Sequence, residues 1–281
     1  MTSTLRRFLD PESTKLLKAG LLALSLLLVA LGVAMNHMLA AAGVLAGSFA
    51  VLLQLRSNLH HNKKGLADLK HALNEDSALQ SLLGLPGRSH LPWSEFSITP
   101  DALQRFVSYI AFSDAKTVVE CGAGVSTVVM ARHFKTRGYG HLYSVEGDAA
   151  WIDYISGLVK QDGNEEFVTF IHAPLKTHTV GSREQLWYDR EIVKERLKGL
   201  VIEGALVDGP QGNKGRFTRH AFVPFFSDQF SEGVFIMLDD GHRKDETQIA
   251  REWGQQLGVE AKYADTRRGQ WILTGQKSIV F

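Results

Sequence analysis

Val118-Val119-Glu120-Cys121-Gly122-Ala123-Gly124-Val125-Ser126-Thr127 decides the reading of this 281-residue chain. Two valines and an acid end a strand. Two glycines then let the main chain turn tightly and pass close to a ligand, with no Cβ in the way. Ser126 or Thr127 caps a helix and offers a hydroxyl, and Val128, Val129, Ala131 and Phe134 make that helix apolar. Outward from this loop, strand-like runs recur at residues 141–146, 167–171, 205–208 and 234–238, with helical patterns between them. Strands that alternate with helices predict a parallel sheet covered on both faces. Residues 259–264 and 270–274, joined by a turn at Arg267-Arg268-Gly269, predict a closing hairpin.

Open sheets of this kind bind ligands at the carboxyl ends of their strands, near the point where strand order reverses. The polar residues that end the predicted strands are Glu120, Glu146, His172, Asp208 and Asp239-Asp240. Glu146 follows Gly124 by one strand and is placed to grip two ribose hydroxyls. A nicotinamide dinucleotide fits a glycine loop plus a distant acid equally well. Two features weigh against it: Thr127 stands where a third glycine is expected, and Glu120 puts a negative charge beside a would-be pyrophosphate. A carboxylate there suits a ligand that carries an ammonium group.

The E-x-G-x-G-x-S-T segment resembles the first motif of class I S-adenosylmethionine-dependent methyltransferases, in the form found in one bacterial subgroup. That subgroup is also similar in its S-V-E segment (Ser144-Val145-Glu146, with Trp151 soon after), its D-G-P segment (Asp208-Gly209-Pro210) and its L-D-D-x-x-R segment (residues 238–243). The resemblance covers residues 91–281. It implies an α/β, Rossmann-like, seven-stranded mixed sheet with its last strand antiparallel, flanked by helices. It also implies roles. Glu120 holds the methionine amino group, directly or through water. Gly122 and Gly124 approach the cofactor backbone-first, Ser126 and Thr127 lie beside it, and Glu146 takes the ribose. Trp151 packs near the adenine or in the core, and His172 or its neighbours sit at the adenine edge. Asp208 lies where the sulfonium meets the acceptor.

Methyl transfer from a sulfonium is an in-line displacement, so the protein must mainly orient and deprotonate the acceptor. Asp208, Asp239 and His242 are the catalytic candidates. Asp208, Asp239 and Asp240 resemble the metal site of catechol-type O-methyltransferases, where a divalent cation such as Mg lowers the acceptor hydroxyl pKa; the departure is Asp240, where that site usually has Asn. The competing reading makes Asp208 a cofactor-side or general-base carboxylate and Asp240 a helix cap. Arg216, Arg219 and Arg243 either grip an anionic acceptor or are ordinary surface arginines. Residues 91–94 (Leu-Pro-Trp-Ser) form a lid, or Trp93 anchors the start of the domain in the core.

The chain has 31 basic and 30 acidic residues, a balance that argues against a nucleic-acid binder with a broad basic surface. A single cysteine, Cys121, rules out an intrachain disulfide. Residues 19–55 contain no Asp, Glu, Lys or Arg. Residues 16–35 and 38–55 reach about 30 Å and about 27 Å as helices, close to the hydrocarbon thickness of a bilayer. We read a transmembrane helical hairpin over 16–55 that turns at Asn36-His37, after a cytoplasmic segment 1–15. Gly43 and Gly47 form a small-xxx-small pair at which the helices approach. A cleaved signal peptide, a buried helical pair, or a single span with an interfacial helix fit the same run. Arg6, Arg7, Lys15 and Lys18 before the run, and Arg56, Lys63 and Lys64 after it, place both ends in the cytoplasm. Leucines at three-, four- and seven-residue intervals make 56–90 a juxtamembrane amphipathic linker of one or two helices. The expectation is therefore a methyltransferase at the inner membrane, its catalytic domain cytoplasmic and its acceptor a small molecule or lipid-linked. An NAD-dependent oxidoreductase and a non-catalytic membrane-anchored binding protein are the alternatives.

Overall fold

The computed structural model describes residues 11–35 and 37–275. They form two compact units, divided between Lys70 and His71.

In the first unit, helix α1 (Pro11–Met35) is followed by α2 (His37–Leu83), which continues into the second unit. Asn36, half of the expected turn, lies outside the described residues, as do Arg6 and Arg7. A Cβ added to Gly43 would meet Ser25 O at 2.6 Å and Val29 N at 2.7 Å, and one added to Gly47 would meet Ser25 Oγ at 3.2 Å. The two helices thus approach backbone to backbone at Gly43, and Gly47 makes room for the Ser25 side chain. Among the described residues one helix, Ala41–Leu83, is long and apolar enough to cross a membrane; the apolar part of α1, Leu17–Leu31, is shorter. The linker expected at 56–90 does not begin a new helix, because α2 runs on unbroken to Leu83. Ala78 and Leu82, near its end, are buried, and Leu82 joins the core of the second unit.

The second unit is built on a seven-stranded sheet. Its strands in chain order are β1 (Thr117–Cys121), β2 (His141–Glu146), β3 (Val168–His172), β6 (Ile202–Val207), β7 (Phe230–Leu238), β8 (Lys262–Ala264) and β9 (Gln270–Thr274), arranged 3-2-1-6-7-9-8. The first five are parallel, and β9 runs antiparallel to both β7 and β8. This is the mixed sheet that the sequence predicts. Successive residues of a strand face opposite sides. Val118 accordingly packs with Phe106, Val128 and Phe134, whereas Val119 packs with Trp187, Phe222 and Trp253. On the first face lie α3 (Pro100–Ser113), α4 (Val125–Arg137) and α5 (Ala149–Asp162); on the second, α6 (Arg190–Arg196), α7 (Phe222–Phe226) and α8 (Lys244–Leu257). Full burial of each such leucine, valine or phenylalanine is worth roughly 1.5–3 kcal/mol, which is why near-continuous apolar runs make these strands.

One element differs from the sequence reading. Leu175–Val180 (β4) and Arg183–Tyr188 (β5) pair as a separate antiparallel ribbon. The signal was present as a Gly181-Ser182 turn between alternating residues, with Gly181 at φ +60°.

Candidate active site

Strand order reverses between β1 and β6, and the residues after these strands floor a cleft of about 780 Å³. Main-chain bonds carry the sheet past the strand ends: Gly122 N donates to Val145 O (2.9 Å), Asp208 N to Cys121 O (3.0 Å) and Asp239 N to Val207 O (3.1 Å). Gly122 has φ +96°, a region that favours glycine, and a Cβ there would meet Gly209 N at 3.1 Å. Gly209 is equally confined, since its Cβ would meet Gly122 Cα at 3.0 Å and the Tyr188 hydroxyl. The floor is therefore two glycine backbones in contact. Gly124 differs. Its φ of 177° is ordinary extended backbone, and a Cβ there would find no protein atom within 4 Å. Because Gly124 lines the cleft, what that Cβ would obstruct is the space for a ligand.

Glu120 does not face this space. It is 1% exposed, and its carboxylate accepts hydrogen bonds from Ser126 Oγ, Thr127 Oγ1 (2.6 Å) and Ser144 Oγ (2.8 Å). Burial pushes its pKa up to about 7 against the pull of these hydroxyls. Of the two expected modes, direct or through water, a direct grip on an ammonium group has no path here: Glu120 is joined to the cleft through Ser126, which lines it. Thr127 is buried too. Its hydroxyl donates to Glu120 and accepts from Gly124 N (2.9 Å), so it locks the loop onto the helix start.

Glu146 does line the cleft. One oxygen accepts from Gly147 N (2.6 Å) and Asp148 N (3.0 Å), the other from Ala123 N (3.1 Å). Burial raises its pKa, against the three N–H groups that hold it. Trp151, whose helix is capped by Asp148, donates from Nε1 to Ala123 O (2.7 Å) and presents its ring to the cleft. His172 is outside. It is exposed, lies within 3.2 Å of Gly147 O, and is absent from the lining, because its strand ends one position further along the sheet than the cleft extends.

The other half of the cleft is polar. Asp208, Asp240, His242 and Arg243 line it, with Lys214 and Arg268, two cations that the sequence reading did not single out. Arg219 is 2% exposed and is the electrostatic centre of this half. Its Nη2 donates to Asp208 Oδ1 (3.0 Å), Asp208 O (2.6 Å) and Asp240 Oδ2 (3.0 Å), and its Nη1 to Asp239 O (3.0 Å). Asp239 is fully buried, takes Gln270 Nε2 on Oδ1 (2.9 Å) and does not reach the cleft, so it is a support and not a catalytic group. Nor is Asp240 a helix cap: it sits at φ +58°, and Arg243 precedes α8. Arg216 pairs with Asp245 (2.7 Å) away from the cleft.

The divalent cation expected at this centre meets a competing charge. One carboxylate oxygen from each of Asp208, Asp239 and Asp240 can be chosen within 4.8 Å of the others. The Arg219 guanidinium, however, already bridges Asp208 Oδ1 and Asp240 Oδ2 at 3.0 Å each and repels a second fixed cation, while Asp239 Oδ2 and Asp240 Oδ1 are buried without a partner. Burial and the neighbouring Asp239 hold the Asp208 pKa well above the usual carboxylate range, against the pull of Arg219.

His242 is set up differently. Its Nδ1 lies 2.7 Å from Arg268 O. A carbonyl only accepts, so Nδ1 carries a hydrogen, and Nε2 is the ring nitrogen left to exchange a proton. Arg268 also donates to Ser97 O (3.1 Å) and to Glu95 O, and thereby ties residues 94–98 over the opening. Trp93 is half-buried against the core. The cover is thus residues 94–98 and the anchor Trp93, a division of the two readings of this segment.

No family model matches the chain, and neither does any curated protein sequence. Solved structures do. An O-methyltransferase from Bacillus cereus in complex with SAH is 15% identical, with 72% of this chain and 90% of that one covered and a TM-score of 0.47. The O-methyltransferase TomG from Streptomyces achromogenes, in complex with SAM, is 12% identical over 64% and 80%, with a TM-score of 0.46. Precorrin-6y C5,15-methyltransferase from Geobacter metallireducens is 14% identical over 66% and 93%, with a TM-score of 0.48.

Proposed function

We propose that this protein is an S-adenosylmethionine-dependent methyltransferase, held at the inner membrane by α1 and the first half of α2, with its second unit in the cytoplasm. The observation that carries the cofactor is the pairing of Gly124 with Glu146. A glycine whose missing Cβ leaves only ligand space stands beside a carboxylate fixed by three N–H groups at the end of the next strand. The first suits a cofactor's methionine portion and the second its ribose; Trp151 is positioned for the adenine. Thr127, spent on Glu120 and Gly124, leaves a nicotinamide dinucleotide without the third glycine it needs at the helix start.

When bound, S-adenosylmethionine supplies an electrophilic methyl group. The chain's own work is to orient the acceptor and take its proton. His242 Nε2 accepts that proton from an acceptor hydroxyl, while Arg268 O fixes the imidazole. Asp208, neutralised by Arg219, orients the acceptor without presenting a bare negative charge. Arg243, Lys214 and Arg268 make this half of the cleft cationic, which suits an acceptor with an anionic group, free or lipid-linked. The uncharged run at 19–55 and its basic flanks support the membrane placement.

Calorimetry on the full chain in detergent tests the cofactor: heat for S-adenosylhomocysteine and none for NADH is expected, and the reverse sinks the reading. Cofactor binding with no methyl transferred to any membrane or cytosolic extract would favour the non-catalytic alternative. His242→Gln should lower turnover while S-adenosylhomocysteine affinity holds.

A further inference from the structure

Helix α2 carries a stripe that neither the fold nor the cleft uses. Leu52, Leu55, Leu59, Leu66, Leu69 and Leu73 are each between 52% and 69% exposed. With Asn62 they follow one another at alternating intervals of three and four residues, three complete heptads on one face of a continuous helix. Helix α1 packs where Gly43 and Gly47 lie, about 120° round α2 from this face, and leaves these leucines exposed. From Leu59 onward the stripe lies among Lys63, Lys64 and Lys70, outside the uncharged run, where leucines that face water gain by being covered.

We propose that residues 52–73 of α2 zip in parallel against the same residues of a second copy of this chain. The spacing is self-complementary: each leucine enters a hole formed by four residues of an identical helix. Six leucines, each with on the order of 100 Å² of apolar surface, bring about 600 Å² per chain, close to the roughly 800 Å² per partner of a standard interface. Charge selects the orientation. The positions flanking the seam on one side are Arg56, Lys63 and Lys70, and on the other Asn58, Gly65 and Ala72. Side by side and parallel, each cation lies against a neutral, mostly small residue of the partner helix. An antiparallel pair would set the cations against one another. Asn62, at a d position, is the one polar residue of the seam, and in a parallel pair it meets its own copy only when the two helices are in register. A lipid surface is the weaker occupant, because it gains nothing from Asn62 and is served by cations on both flanks of an apolar stripe.

Cysteine cross-linking of the full chain in its membrane tests this. Cys121, the native thiol, is fully buried and gives no background. Leu66→Cys should oxidise to a disulfide-linked dimer, while Ser57→Cys, on the outer face of the same helix, should not. Equal cross-linking at both positions, or at neither, overturns the proposal. In detergent, wild type should have twice the 31.1 kDa chain mass and Leu59→Asp with Leu66→Asp the single mass; a wild type of single mass overturns it. So does protection of Leu66→Cys from a water-soluble maleimide by phosphatidylglycerol vesicles with no cross-linked product, the signature of a lipid-covered stripe. Should the double aspartate variant lose helicity, the cysteine pair still decides.

Discussion

At the scale of single residues, the two buried charges behave oppositely. Glu120 holds three hydroxyls, so Glu120→Ala leaves them without their acceptor and should cost about 1–3 kcal/mol in denaturant melts. Glu120→Gln separates charge from hydrogen bonding. A carboxyl whose pKa rises from 4.5 to about 7 on folding gives its full stabilisation below pH 4.5 and loses it as pH climbs through 7. The glutamine variant should therefore gain on wild type between pH 5 and 8, by up to on the order of 1 kcal/mol per pH unit. Parallel stability curves would refute the buried-acid account. Arg219 is the resident cation of an acid pocket, so wild type should show no Mn²⁺ binding by electron paramagnetic resonance, and Arg219→Met should acquire it. Binding by wild type would show that the guanidinium is no obstacle. Much of this was legible beforehand: Glu120, Glu146, Asp208 and Asp240 were all named from the ends of strands. What the chain order concealed was direction. Glu120, as a strand residue, turns inward, and Asp239 and Asp240, though adjacent, face the core and the cleft respectively. The roles of Lys214 and Arg268 had no local pattern, because each depends on a loop brought to the cleft by the sheet.

At the scale of elements, the glycine loop has two kinds of glycine, and substitution should separate them. Gly122→Ala strains a positive φ and presses on Gly209, and should cost about 1–3 kcal/mol of stability. Gly124→Val should melt like wild type yet bind S-adenosylhomocysteine about tenfold or more weakly, a loss of at least about 1.4 kcal/mol. Equal affinity would mean that the ligand lies elsewhere. The β4–β5 ribbon is tied down by Arg183 of β5, whose guanidinium pairs with both oxygens of Glu252 in α8 at 2.5 and 2.7 Å. The Arg183 hydrogen bonds hold the Glu252 pKa down at about 2. Stability from this pair is present above about pH 4.5 and is lost as pH falls toward 2. The deficit of Glu252→Gln should thus shrink over that range, as chemical denaturation at stepped pH would show. The five parallel strands and the final hairpin were readable as apolar runs. The ribbon was not picked out because its strands carry polar residues on one side and belong to no long apolar run.

At the scale of the whole molecule, charge and hydropathy predict how the chain sits in a cell. Extraction by carbonate at high pH should leave it in the membrane fraction, and a reporter joined after Phe281 should be active in the cytoplasm; release into the supernatant would remove α1 and α2 as an anchor. Within the second unit, the contact between Gly122 and Gly209 has its own consequence. In the proposed methyltransferase, the strand beside the donor and the strand beside the acceptor are set apart by main chain alone. Exchanging the side chains around Asp208 can change which molecule is accepted without altering how far the transferred group must travel, so such a scaffold can change clients while its stroke length stays constant.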